Sequence, residues 1–151
     1  MRERGAETAT TQMGRMGAED PSRGSGRDHT VTRELERLEG LWEDGLSDAY
    51  RSYLDAVSGF ESADQPRLAL AAALIEVGVR LQGLGGRAAA APTLLMGDLC
   101  LARSSRLLAD AAPQAVQVAF ARAIEEMSSA AASERSAPHT RDLLLRAFEA
   151  R

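Results

Sequence analysis

The chain has 151 residues, 44% hydrophobic and only 4% aromatic, with a formal net charge of -4, which leaves room for one domain around a single core. The acidic balance lacks the dense basic face that displaces counterions from phosphates, so nucleic acid is not an expected partner. Cys100 is the one cysteine and forms no internal disulfide, and no basic-then-apolar leader opens the sequence, so the expected compartment is the reducing cytoplasm.

Residues 1–29 mix Arg, Glu, Gly, Ser and Thr with almost no large apolar side chain. Such a stretch cannot offset the entropy of being ordered and reads as a disordered tail, leaving 30–151 as a helical domain. From Thr32 the spacing of Leu35, Leu38, Trp42, Leu46, Ala49, Tyr50, Tyr53, Leu54 and Val57 draws one apolar stripe along a helix. Thr30 or Thr32 is placed to cap it and Ser58-Gly59 to end it. Trp42, Tyr50 and Tyr53 are core or interface residues at this spacing.

Asp64-Gln65-Pro66 has the form of a cap followed by a first-turn proline, and predicts a helix from Arg67 to about Gln82. That helix is apolar on most of its circumference, which suits the middle of a bundle. It is interrupted by Glu76, Arg80 and Gln82 and falls short of a membrane span. Gly83, Gly85 and Gly86 break it. Pro92-Thr93 then opens a helix from Leu94 to about Ala111, Pro113 starts another that runs to about Ala132, and after Pro138 a short one carries Leu143, Leu144, Leu145 and Phe148. With no strand candidate, the expected fold is all-α, an antiparallel bundle of about five helices. The last helix has few residues with which to close a core, which hints that another chain completes it.

Tests for chemistry return little. His29, His139 and Cys100 do not assemble a tetrahedral zinc site. Cys100 sits in an apolar run, where a thiol is usually an inert small hydrophobe. Gly83-Leu84-Gly85-Gly86-Arg87 follows a helix rather than a strand and lacks the Lys-Ser/Thr ending of a phosphate loop. The informative segment is Leu95-Met96-Gly97-Asp98-Leu99-Cys100-Leu101-Ala102-Arg103 and its continuation Leu107-Leu108-Ala109. A glycine early in a helix costs roughly 1 kcal/mol relative to alanine. Gly97 therefore predicts a tight helix crossing, with Asp98 either partly buried and hydrogen-bonded or facing a charged cavity.

This segment resembles the trans-polyprenyl diphosphate synthase family, in which an apolar-apolar-Gly-Asp helix follows the first Asp-rich motif. The resemblance runs over about 64–132 and implies part of the isoprenoid synthase fold. Active members hold Mg²⁺ with two aspartate clusters, but here Gln82-Gly83-Leu84-Gly85 stands where the first belongs, and the sequence ends before the second. The resemblance is therefore to the small, non-catalytic subunit of heterodimeric hexaprenyl or heptaprenyl diphosphate synthases of menaquinone biosynthesis. It implies no cofactor in this chain, Mg²⁺ on a catalytic partner subunit, and contact with the partner and the product's prenyl chain. Val77, Leu81 and Leu84, with Leu94, Leu95, Asp98 and Leu101 on the next helix, are the candidate tunnel or interface residues, with ordinary core packing as the alternative for the apolar ones. The competing expectation is a degenerate helical regulatory or structural interaction protein unrelated to prenyl transfer.

Overall fold

A computed structural model describes residues 40–83, 89–133 and 139–150. The expected tail at 1–29, the upstream part of the first stripe, and Leu84 with the rest of 84–88 lie outside the described residues. Those described fold as an all-helical bundle. A π-helical turn, Trp42–Leu46, leads into α1 (Ser47–Tyr53); α2 spans Gln65–Leu81, α3 Ala91–Ala111, α4 Gln114–Ala132 and α5 Thr140–Ala147. No strand occurs among the described residues, and no described helix is long and apolar enough to cross a membrane.

The first stripe is not one uniform helix. Gly45 takes φ 111°, a left-handed value that a side chain would strain, and the ladder widens around it into the π turn. The helix then stops at Tyr53, five residues before Ser58, and continues as hydrogen-bonded turns. The stripe nevertheless points inward: Leu46, Ala49, Tyr53 and Val57 are buried and Tyr50 is half-buried, while Leu54 is exposed.

Asp64 precedes α2 as expected but does not cap it. Its backbone is already helical (φ −94°, ψ −24°) because the turn before it closes with the Gln65 amide donating to the Glu61 carbonyl. Its carboxylate instead lies 3.7 Å from Arg67. Pro66 occupies the first turn, where a missing N–H costs nothing. The same rule moves the start of α3 to Ala91, three residues before the expected Leu94, since Ala90 is extended and Pro92 fits the first turn. At its other end α2 stops as expected. Gly83 takes φ 63° and donates its amide to the Arg80 carbonyl.

α2 is the central element. Leu68, Ala69, Ala71, Ala72, Ala73, Ile75 and Val77 leave almost no surface exposed, so burial extends around the helix rather than along one stripe. α1, α3 and α5 all pack against it. α3 runs antiparallel to it, since Gly78 faces Cys100 and Leu101 while Gln82, a turn later, faces Gly97 and Asp98. The short last helix closes the core with this chain's own residues. Leu143, Leu144 and Ala147 are buried, and Phe148 is inserted among the rings of Phe120 (centroids 4.9 Å apart), Phe60 (5.9 Å) and Tyr53 (6.4 Å). Edge-to-face rings of this kind add roughly 0.5–1.5 kcal/mol beyond their burial.

Candidate interaction site

Two glycines bring α2 and α3 together. A Cβ built on Gly97 would stand 2.8 Å from Gln82 Cγ and 3.0 Å from the Gly78 carbonyl oxygen. A Cβ on Gly78 would stand 3.1 Å from Cys100 Cβ, 3.1 Å from the Gly97 carbonyl oxygen and 3.2 Å from Leu101 Cγ. Each glycine therefore makes room for the other's backbone, and the crossing is closer than side chains would permit. The tight crossing expected from Gly97 is present; its counterpart, Gly78, was concealed in an otherwise ordinary apolar run. Cys100 lies in the same seam, and burial pushes its thiol pKa up, away from nucleophilic use at neutral pH.

Asp98 is hydrogen-bonded, as one of the two expectations had it, but exposed rather than partly buried. Its Oδ1 accepts a 2.6 Å hydrogen bond from Gln82 Nε2. The position is dictated by the helix: with Gly97 pressed against α2, the next residue is rotated by about 100° toward the rim of the seam. There the amide of Gln82, at the end of α2, reaches it.

The other candidates separate into two groups. Val77 is core and Leu81 and Leu101 are half-buried against that core, so these three are taken up by the chain's own packing. Leu94 and Leu95 point the other way, at 36% and 68% exposure, from the first turns of α3. They are the two candidates that present apolar surface to solvent in the described residues.

A polar constellation on the opposite side of α2 escaped the sequence reading. Glu76, only 17% exposed in its side chain, receives the Tyr53 hydroxyl at 2.5 Å on Oε2, and Arg141 Nε and Nη2 at 3.1 and 2.6 Å on its two oxygens. The three residues stand 23 and 65 positions apart, so no local pattern announces them. Burial pushes the Glu76 pKa up, but hydrogen bonds from Arg141 and Tyr53 and the charges of Arg141 and Arg80 outweigh it, and the net shift is downward. Burial first, then the bond to Glu76, holds the Tyr53 phenol far above its ordinary value. Arg141 is raised by its bond to Glu76. The carboxylate is thus ionised and engaged on both oxygens, which suits a clasp between helices better than acid–base chemistry.

A cleft of about 630 Å³ opens beside this clasp, between Arg80 of α2 with Gly83 just beyond it and the start of α5 from His139 to Asp142. Among the described residues no group of three His, Cys, Asp or Glu side chains is placed to hold a metal ion. No family model, no curated protein and no solved structure matches the chain.

Proposed function

We propose that this chain is a non-catalytic accessory subunit of a long-chain polyprenyl diphosphate synthase, acting in the cytoplasm alongside a catalytic partner. The observation that carries the reading is the end of α2. There Gln82 is tied to Asp98 across a glycine-packed crossing, where the resembling enzymes carry magnesium-binding aspartates. A glutamine amide offers an Mg²⁺ ion no charge, so the diphosphate chemistry falls to the partner, which would hold Mg²⁺ on its own carboxylates. What this chain contributes is a rigid helical body and the apolar face at Leu94 and Leu95, which supports a role in lining or bracing the partner where the product's prenyl chain grows.

The experiment is reconstitution. The purified chain alone is expected to condense no isopentenyl diphosphate with an allylic diphosphate, and addition of a full-length prenyl synthase from the same genome is expected to give long-chain product. Leu95→Glu should weaken the association about tenfold, a loss appropriate to one desolvated apolar contact. Turnover by the chain unaided would overturn the reading. So would indifference to every prenyl synthase of its genome, which would leave a helical interaction module of another kind.

A further inference from the structure

A second opening between α2 and α3 has a different chemistry from the glycine crossing. It is a slot of about 510 Å³ whose apolar lining comes from three elements: Leu46 from the π turn, Leu70 and Leu74 from α2, and Ala102 and Leu107 from α3. Leu70 and Leu74 are one helical turn apart, so they form a continuous aliphatic strip. The remaining lining residues are Arg103 and Arg106, three positions apart and therefore on one face of α3. Arg106 gives its Nε to Asp110 at 3.2 Å in an exposed pair, and Arg103 has no hydrogen-bond or ion-pair partner among the described residues. Among the described residues that line the slot there is no carboxylate.

We propose that this slot binds a single aliphatic chain ending in an anionic head, a carboxylate or a phosphate. The chain lies on the leucines and the head sits between the two guanidiniums. Both halves of the ligand are required. A free anion would leave the leucine strip in water, and a neutral hydrocarbon would forgo the forked hydrogen bonds that guanidinium offers to carboxylate and phosphate. The volume lies within the roughly 300–1,000 Å³ of sites that enclose small ligands. A helix is about 10–12 Å across with its side chains, so the slot would take roughly one turn of it, too little for a docked partner helix. The inference is independent of any prenyl synthase partner, because it uses neither the crossing nor the Leu94–Leu95 face.

The test titrates the full chain with palmitate, hexadecyl phosphate, octanoate and hexadecanol, below their aggregation limits, against a fluorescent fatty-acid probe. Palmitate, hexadecyl phosphate or both should displace the probe saturably and at least about tenfold more tightly than octanoate or hexadecanol, and the tighter of the two long anions identifies the head. Arg103→Gln with Arg106→Gln should cost the anions about tenfold and leave hexadecanol unchanged. Ala102→Trp, at an exposed position of α3, should fill the slot and abolish binding while the helical circular dichroism is retained. Equal affinity for the alcohol and the carboxylate, undiminished binding by Ala102→Trp, or no saturable displacement by any of the four compounds would overturn the proposal.

Discussion

Against α3, the central helix presents a glycine, and the contact is backbone on backbone: a Cβ on Gly78 or Gly97 would stand only 3.0–3.1 Å from the other's carbonyl oxygen. Against α1 and α5 it presents Glu76, and the contact is polar, with the neutral Tyr53 hydroxyl and the Arg141 guanidinium converging on one carboxylate. The first seam is specified by volume and the second by polarity. The two therefore fail differently: packing by volume is indifferent to pH, whereas a clasp built on a carboxylate and a phenol is not. Tyr53 makes the second seam a composite, since its ring joins the Phe148 cluster while its hydroxyl serves Glu76.

The largest effect is expected at the aromatic end of the composite seam. Phe148→Ala removes a ring that is 1% exposed and touches three others, and should cost about 3–5 kcal/mol in chemical denaturation. Were the loss below that of any change at the glycine crossing, the crossing and not the aromatic cluster would be the main anchor of the bundle. Next comes Gly97→Val. Helix propensity alone would favour the change slightly, yet the new Cβ meets the Gly78 carbonyl at 3.0 Å, a backbone atom that cannot rotate away. A net destabilisation of about 1–3 kcal/mol, the same at every pH between about 5 and 9, is the expected signature of overpacking. A stabilised variant would show that the helices are free to part.

Glu76→Gln should have the smallest effect at neutral pH, about 1–2 kcal/mol, because Arg141 remains nearly half exposed and water takes over part of its solvation. Its value lies in the pH profile. The folded pKa of Glu76 lies below the unfolded one, so its contribution is complete above about pH 5 and is lost as the pH falls through the folded value. Tyr53 shifts the other way: its folded pKa is raised, so its contribution is complete below the unfolded value of about 10 and is lost as the pH rises beyond it. Wild-type stability should decline at both ends, Glu76→Gln should flatten the acid decline, and Tyr53→Phe the alkaline one. Denaturation midpoints that fall in parallel for wild type and Glu76→Gln down to pH 3 would deny the clasp its role.

The helices were largely legible because their signals are local. Proline in a first turn, glycine after a last one, and a helix apolar around its circumference each act within a few residues. Gly97 was legible for the same reason, since a glycine in a helix asks for an explanation. The π turn was not: Gly45 within an amphipathic stripe does not disclose that its φ will be positive. The inert setting of Cys100 was readable from its neighbours, whereas the surroundings of Asp98 were not, because they depend on Gln82 coming from another helix. Glu76 looked like an interruption in an apolar helix, and only the positions of Tyr53 and Arg141 turn that interruption into a tie. The leucines nominated as one surface divide for a similar reason. Leu95 and Leu101 are six residues apart on one helix, and the Gly97 face between them decides which looks inward.

The reciprocity of the two glycines has an evolutionary corollary. Each occupies the space that the other's methyl group would need, so the first enlargement at either position pushes the helices apart and the second then enters a gap already opened. Substitutions at 78 and 97 should therefore be strongly epistatic, with the double change costing less than the sum of the single ones. Among descendants of this fold the pair is expected to be inherited or abandoned as a unit, a correlation that would mark this crossing even where little else of the sequence survives.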